Sequence, residues 1–207
     1  MKREQSLVIT TNNLLANNVS IDNEKQNNTQ IIKVIRNLAG EKHDEPTFAR
    51  VKNCFLKNGI IEVDVLSKLL TNAPDYARGF IGISFHISKN NDKFECIYIR
   101  PTNGQANVQV RRNRAVQYIS YPNFKFDKLR KEVPGKYESY ADIDLNEWIH
   151  MKIEIRDAKA KLYLNDDKHP VLLVNDLKHG TISGGIGLWV DTGTEGYFKN
   201  LKITEFE

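Results

Sequence analysis

The chain has 207 residues, a length that supports one substantial hydrophobic core and lies within the usual span of a single all-β domain. Hydrophobic residues make up 40% of it and charged residues 27%, and no window approaches the roughly 18 consecutive apolar residues of a membrane span. The net charge is +4, and the isoelectric point of about 8.9 lies just below the value of roughly 9 that flags nucleic-acid-binding domains. We therefore expect a globular domain that partners neither membrane nor nucleic acid.

The N-terminal quarter contains short strands separated by polar connections. Residues 7–10 and 31–35 are strand candidates, whereas the Asn-rich stretch 23–30 is typical of a loop or of a loosely held edge. Residues 39–46 form a turn-rich connection that contains His43-Asp44-Glu45. Adjacent side chains in a loop need not converge, so we predict no metal site there. The first ten residues lack the apolar core of a secretory signal, which predicts a cytoplasmic protein, or a secreted one if a signal precedes them.

Residues 48–55 and 60–66 are predicted to form a β-hairpin, because Asn58-Gly59 between them is the strongest short hairpin signal. In the second strand Glu62 and Asp64 point away from the apolar residues that alternate with them. Two carboxylates at positions i and i+2 of a strand lie about 6.5–7 Å apart on one face. This pair is a candidate for acid–base chemistry, and the alternative is a solvated strand face whose charges are paired with Arg or Lys.

A second hairpin, residues 79–103, is the clearest element of the chain. Apolar residues alternate with small or polar ones from 81 to 87, a polar turn follows, and an aromatic and β-branched arm runs to Pro101, which cannot donate to a ladder. The polar face of this hairpin ends at Arg100 and Asn103. His86 lies on that face and is a candidate general acid or base, or simply a hydrogen-bonded strand residue.

The remainder of the chain continues the strand pattern. Strand candidates at 108–110 and 115–120 flank a basic cluster at 111–114, and residues 124–140 show no clean period and are predicted to be a long loop. Five further strands are predicted at 149–155, 158–164, 170–174, 186–190 and 198–206. Short strands at intervals of about ten residues predict an all-β chain, a two-sheet antiparallel β-sandwich or jelly roll that forms one domain over residues 1–207. Nothing in the sequence predicts an oligomeric state.

The two cysteines, Cys54 and Cys96, sit in strand-like runs. We expect both to be reduced and mostly buried, and the alternative is a disulfide between neighbouring strands. No His or Cys has the spacing of a zinc finger, so we predict no metal.

Several fragments in order resemble one family. They are 58–65, 79–85, 98–103, 111–118, 137–138, Trp148, 161–165, 170–177 and 185–201. Over residues 48–206 the chain resembles the concanavalin A-like lectin/glucanase superfamily of bacterial proteins, closest to the 3-keto-disaccharide hydrolase domain family, which neighbours the laminin G-like jelly rolls. Residues 1–47 precede it as N-terminal strands and loops. The resemblance implies two curved antiparallel sheets, of which the concave one and its rim loops hold sugars.

The resemblance implies a polar face that carries the site. Its candidate catalytic residues are Glu62, Asp64 and His86. The related glucanases carry a third acid at i+4 or i+5, where this chain has Leu66 and Ser67. Side chains able to bind hydroxyls or to stack on a sugar ring are Arg100, Asn103, Arg112, Gln117, Tyr118, Glu138 and Trp189. The alternatives are salt bridges that hold the rim and, for Trp148 and Trp189, apolar filling under a crossing loop.

The predicted function is recognition of a carbohydrate in the concave cleft, with hydrolysis of keto-sugar glycosides as the family name implies. The alternative is a non-catalytic structural or protein-interaction module. An open cleft in which Glu62, Asp64, His86 and Arg100 converge would favour the first, and a face covered by residues 120–140 would favour the second. No cofactor is predicted, and a structural calcium ion stays open. The basic segment with Tyr118 nearby lacks any recognisable nucleic-acid-binding module.

Overall fold

The computed structural model describes residues 2–26, 28–38, 40 and 42–206. Within these residues the chain forms strands β1 (Lys2–Leu7), β2 (Leu14–Asn17), β3 (Val19–Gln26), β4 (Thr29–Arg36), β5 (Phe48–Leu56), β6 (Gly59–Leu69), β7 (Ile81–Ile87), β8 (Phe94–Ile99), β9 (Val116–Tyr121), β10 (Glu138–Ser139), β11 (Ile149–Arg156), β12 (Lys159–Leu164), β13 (Leu172–Val174), β14 (Gly184–Val190) and β15 (Thr194–Phe206). The helices are a 3₁₀ turn (Thr11–Asn13), α1 (Pro101–Gly104), α2 (Gln109–Arg112) and α3 (Phe126–Glu132). In the described part of the chain, none of them is long and apolar enough to cross a bilayer.

The strands form two antiparallel sheets. Sheet I has the order β13-β12-β11-β6-β15-β4-β3, with β1 also paired to β15. Sheet II has the order β10-β9-β8-β7-β14-β5-β2. The main core lies between them, where the alternating residues Ile61, Val63 and Val65 of β6 face Ile81 and Ile83 of β7 across the sandwich. The predicted two-sheet β-sandwich is therefore confirmed.

Sheet II is also covered on its outer face, by a second and smaller apolar cluster. The buried members of this outer cluster are Phe48, Ile87, Phe94, Cys96, Tyr98, Ile119 and Trp189. Segment 42–47 crosses above it, and the indole nitrogen of Trp189 donates to the carbonyl of Glu45 at 2.9 Å. Phe126 at the start of α3 packs against the same cluster. Burial on both faces explains why every residue of β7 and β8 is buried.

The predicted hairpin around Asn58-Gly59 does not form. Both strands exist, but β5 pairs with β14 and β2 in sheet II, whereas β6 pairs with β11 and β15 in sheet I. The turn therefore crosses the sandwich. It is held at the end of sheet I, because the Asn58 side chain accepts a hydrogen bond from the amide of Asp157 at 2.7 Å and the Asn58 carbonyl accepts one from the amide of Phe206 at 3.0 Å. A Cβ on Gly59 would lie 2.2 Å from the carbonyl oxygen of Thr204, so only glycine fits there.

The described part of the Asn-rich stretch, residues 23–26 and 28–30, lies in the hairpin of β3 and β4, and β3 is the edge strand of sheet I, so the edge alternative holds rather than the loop. Three other local expectations are wrong. Of the strand expected at 7–10, Leu7 alone lies in a strand, as the last residue of β1. Residues 108–110 run into helix α2 rather than a strand. The long loop 124–140 contains helix α3 and strand β10, both too short to give a periodic signal.

The two thiols are free, as predicted, and they differ in burial. Cys96 is fully buried in the outer cluster, and Cys54 is partly buried against the main core. Burial raises the pKa of both thiols, that of Cys54 to about 11 and that of Cys96 well above its ordinary value. Because the thiolate is the reactive form, both are expected to react slowly in the folded protein.

This predicts ordered reactivity towards an alkylating reagent at pH 7.5. Cys54 should be modified more slowly than free cysteine but measurably, and Cys96 should be modified only on unfolding, which mass spectrometry of tryptic peptides can follow. Modification of Cys96 in the native protein at the rate of Cys54 would show that the outer cluster is not closed as described.

Candidate functional site

A cleft of about 250 Å³ opens beside the outer cluster of sheet II, where β8 runs into α1. Its walls come from six separated stretches of chain and carry five arginines, two carboxylates and several aromatic rings. The lining residues are His43, Asp44, Tyr76, Arg78, Phe80, Tyr98, Arg100, Asn103, Arg111, Arg114, Phe126, Arg130 and Asp191. We call this the arginine cleft.

Asp44 forms one corner of the arginine cleft. Its backbone has a φ of 55°, in the left-handed region that Asp tolerates better than most residues, and its side chain turns under segment 42–47. One carboxylate oxygen accepts from the Tyr98 hydroxyl at 3.0 Å and the other from the Phe126 amide at 2.7 Å. The Asp44 amide in turn donates to Asp191 at 3.0 Å. A single residue thus ties the loop to sheet II and to the start of α3.

Burial disfavours the charged form of the Asp44 carboxyl group. The residue is only 1% exposed, and burial, together with the nearby Asp191, raises its pKa from the ordinary 3.8 to about 6. Hydrogen bonding from the Phe126 amide and the positive charge of Arg100 act in the opposite direction. Asp191 is 3% exposed and contacts the guanidinium of Arg36.

Arg100 lies at the floor of the arginine cleft. We expected it on an exposed rim, but it is 4% exposed. It donates to the Tyr98 hydroxyl at 2.8 Å, to the Arg114 carbonyl at 3.1 Å and to the side-chain oxygen of Gln117 at 3.2 Å. Its guanidinium also stacks over the Tyr98 and Phe126 rings, 5.0 and 5.6 Å from their centroids. Arg100 therefore mainly holds neighbouring cleft residues in place and exposes little of its side chain to a ligand.

Asn103 holds a second arginine in place. Its side-chain nitrogen donates to the Arg114 carbonyl at 3.1 Å, and its oxygen accepts from both Nε and Nη2 of Arg111 at 3.2 Å. Asn103 is buried, and Arg111 is partly exposed at the cleft wall. The predicted ligand residue Asn103 is thus placed at the cleft, where it fixes the direction of the Arg111 guanidinium.

Glu138 is the carboxylate shared by three cleft arginines. It accepts from Nε of Arg130 at 3.1 Å and lies 3.6 Å from Arg100 and 3.7 Å from Arg114. Strand β10, which carries Glu138, pairs with the start of β9. Glu138 therefore holds the three arginines in place in the cleft wall.

Three other expected ligand residues lie outside the arginine cleft. Gln117 is buried and bonds the carbonyls of Tyr118 and Tyr137. Tyr118 faces the main core, where its hydroxyl donates to Glu95 at 2.8 Å, because it has the opposite parity to Gln117 on β9. Arg112 bonds the hydroxyl of Tyr140.

The two tryptophans lie on different sheets. Trp189 has the predicted parity, on the outer face of sheet II, but it is fully buried under segment 42–47. Trp148 is partly exposed beside sheet I, with the ammonium of Lys199 4.0 Å above its ring. For Trp189 the structure thus agrees with the alternative of apolar filling under a crossing loop.

The candidate catalytic residues do not meet. Glu62 and Asp64 lie on the outer face of sheet I, whereas His86 is on sheet II, 0% exposed, with Nε2 3.1 Å from the Lys57 carbonyl. Burial lowers the pKa of His86. Packed sheets are about 10 Å apart, so these side chains cannot share a small ligand. The expectation of one polar face fails because β6 and β7 belong to different sheets.

The two carboxylates of β6 are instead paired with cations and amides on their own sheet. Asp64 contacts His150 Nδ1 and accepts a hydrogen bond from the side-chain nitrogen of Asn200, both at 2.7 Å, and Glu62 lies 3.9 Å from Lys202. This is the solvated, charge-paired strand face that stood as the alternative. No group of three His, Cys, Asp or Glu side chains in the described residues is arranged to hold a metal ion.

Sequence reasoning missed several cleft residues. Asp44 was considered only as a metal ligand, and the aromatic residues Tyr76, Phe80 and Phe126 carried no signal of their own. For Arg111 and Arg114, which line the cleft, the basic cluster 111–114 was the usable signal.

Several solved structures share this fold. The carbohydrate-binding module CBM66 from Bacillus subtilis aligns with a TM-score of 0.57 at 15% identity, over 90% of this chain and 96% of that one. A protein from Parabacteroides distasonis ATCC 8503, provisionally assigned as a glycosyl hydrolase, gives 0.56 at 15% identity over 99% and 100%. A Bacillus subtilis protein of unknown function with a galectin-like fold gives 0.52 at 10% identity over 98% and 88%.

The chain has a jelly-roll β-sandwich fold. At these identities the likeness establishes the fold alone. No protein-family model and no curated protein sequence matches the chain.

The raised pKa of Asp44 predicts a specific pH dependence of stability. Because the folded state holds this proton more tightly than the unfolded state, the stabilisation is full below pH 4 and is lost as pH rises to about 6. The difference corresponds to at most about 3 kcal/mol. Asp44→Asn should remove that slope, since its amide group can still accept from Phe126 and donate to Tyr98.

Urea unfolding at intervals from pH 4 to 7.5 measures this effect. Asp127→Asn, an exposed carboxylate on α3, serves as the control and should keep the wild-type profile. Parallel profiles of Asp44→Asn and wild type would contradict the assigned protonation.

Proposed function

We propose that this domain binds a carbohydrate in the arginine cleft and does not hydrolyse it. The observation that carries the proposal is the meeting of planar guanidinium donors and flat aromatic faces in one small cleft on a rigid sheet. Guanidinium groups donate to sugar hydroxyls in fixed directions, and aromatic rings suit the C–H faces of a sugar ring. The similarity in fold to CBM66, a carbohydrate-binding module, supports the proposal without identifying a ligand.

The aromatic walls of the cleft are held by their neighbours. The Phe80 ring packs edge-on to Tyr98 at 6.2 Å, and His43 packs edge-on to Tyr76 at 5.3 Å and to Phe126 at 5.8 Å. Rings fixed in this way lose little conformational entropy when a ligand stacks on them, so more of the contact energy contributes to affinity.

Two features of the carboxylates favour binding over hydrolysis. Glycosidases generally need two carboxyl groups that flank the scissile bond, one of them able to donate a proton. In the arginine cleft Asp44 and Asp191 are 1% and 3% exposed, and protein donors occupy their oxygens. Neither is placed to meet a substrate oxygen without rearrangement.

Hydrolysis of a keto-sugar glycoside is the second candidate. One feature favours it: burial within the cleft raises the pKa of Asp44 to about 6, and a general acid near neutral pH needs a raised pKa. Incubation with a 3-keto-disaccharide and chromatography of the products tests this. Turnover that Asp44→Asn abolishes, with binding retained, would establish the enzyme; no turnover at high protein concentration leaves binding alone.

The structural-module alternative predicts no saccharide binding at all. One observation favours this alternative: segment 42–47 and helix α3 cover much of the outer face of sheet II. The cleft weighs against it, because a surface that only needed to be closed would not keep several partly exposed guanidinium groups around an opening.

A glycan array followed by isothermal titration calorimetry tests the proposed function. Tyr76→Ala should weaken binding of the captured saccharide roughly tenfold, because it removes one stacking surface. Tyr163→Ala provides the matched control, since Tyr163 is a partly exposed tyrosine on β12 of sheet I, away from the cleft, and should leave affinity unchanged. Equal effects of the two substitutions would place the binding site elsewhere.

A further inference from the structure

The arginine cleft carries more positive charge than the carboxylates around it neutralise. Five arginines line it, and the one carboxylate of Glu138 is shared by Arg100, Arg114 and Arg130. Of the two carboxylates in the lining, Asp191 is matched by Arg36, which lies outside the lining, and Asp44 bonds the Tyr98 hydroxyl and the Phe126 amide rather than an arginine. Two cleft arginines, Arg78 and Arg111, have no carboxylate within 4.0 Å among the described residues.

Arg78 presents an unused edge of its guanidinium. Its Nη1 donates to the carbonyls of Asp75 at 2.5 Å and Ala77 at 2.7 Å, whereas Nε and Nη2 make no hydrogen bond within the described part of the chain. The Nε–Nη2 edge is the pair of parallel donors that can bind a carboxylate in bidentate fashion. Partial burial and the nearby charges of Arg111 and Arg100 lower the pKa of Arg78, and Asp75 opposes them more weakly.

The guanidinium of Arg111 is held on one edge, which leaves Nη1 unused. Nε and Nη2 both donate to the side-chain oxygen of Asn103, Nη2 also donates to the Thr102 carbonyl at 3.4 Å, and Nη1 has no hydrogen-bond partner in the described residues. Since Asn103 is itself buried and bonded to the Arg114 carbonyl, the orientation of Arg111 is fixed before any ligand arrives.

We propose that the sugar bound in the arginine cleft is an acidic one, whose carboxylate binds the free guanidinium donors of Arg78 and Arg111. The inference rests on the proposed function and adds to it the chemical class of the ligand. Phe80 lines the cleft two residues after Arg78, so an apolar ring face lies beside the carboxylate site.

Two features favour a carboxylate on a single sugar ring. The two oxygens of a carboxylate match the parallel donors of a guanidinium edge in both spacing and plane. The cleft volume of about 250 Å³ lies below the range of roughly 300–1,000 Å³ typical of pockets for drug-sized ligands. One terminal hexuronic acid residue therefore suits it better than a stretch of polymer.

Calorimetric titration of the intact chain with matched sugars tests the charge requirement. Methyl glucuronide and methyl galacturonide are compared with methyl glucoside and methyl galactoside, which lack the carboxylate, and with glucose 6-sulfate. At least one uronide should bind tenfold or more tightly than its neutral counterpart and than the sulfate ester, and the difference should shrink between 50 and 300 mM salt because the interaction is electrostatic.

Two variants and a matched control locate the interaction. Arg78→Gln and Arg111→Gln should each weaken binding of the uronide tenfold or more while changing affinity for the neutral sugar less than twofold. Arg112→Gln removes the same charge one residue along helix α2, where the side chain bonds Tyr140 outside the cleft, and should leave both affinities unchanged. Thermal unfolding of all three variants checks that the fold is retained.

The outcomes separate this inference from the proposed function. If neutral sugars bind as tightly as their uronides, or the sulfate ester binds most tightly, the carboxylate inference is wrong and carbohydrate binding stands. If saccharides of no class bind, the proposed function fails and the inference with it. A uronide preference that survives both cleft substitutions would show that the acidic group binds elsewhere.

Discussion

The shape of the site depends on the hydrogen bonds made by the buried side chain of Asp44. Its two oxygens bind the Tyr98 hydroxyl and the amide that opens helix α3, and its own amide reaches Asp191. Three segments that are distant in sequence therefore meet at one residue. A buried ion without partners would be very costly, and these hydrogen bonds offset much of that cost. Without them segment 42–47 and α3 would lose their common anchor, and with it one wall of the arginine cleft.

Covering sheet II on both faces has a consequence for function. In a sandwich with one solvated face, polar side chains can line a broad concave surface. Here the outer face of sheet II holds a second apolar cluster, in which Tyr98 and Trp189 pack 4.7 Å apart. The polar surface is displaced to the end of the sheet, where β8 gives way to α1 and loops supply the side chains. This is why the candidate site is a small cleft rather than a long groove.

Most strands could be predicted from the sequence, but the pairing between strands could not, for a physical reason. Alternation of apolar residues is a local property, so most strands and the β-sandwich class could be predicted from it. Which strands pair is decided by the whole core. The Asn58-Gly59 turn crosses between sheets, and this one event separates Glu62 and Asp64 from His86. The position of Arg100 at the end of β8 was predicted, but its burial depends on the tertiary placement of α3, which no local pattern encodes.

The arginines of the cleft are of two kinds, those whose donors are bound to other protein groups and those that keep free donors. Arg100 and Arg130 are bound to buried acceptors and aromatic rings, so they hold the cleft together. Arg78 and Arg111 keep free donors and lie near enough for their like charges to interact unfavourably. Such repulsion does not stabilise a fold, and an anion bound between the charges would relieve it. A cleft that is pre-organised in this way favours a charged ligand, since the orientation of the donors is set by the protein before binding.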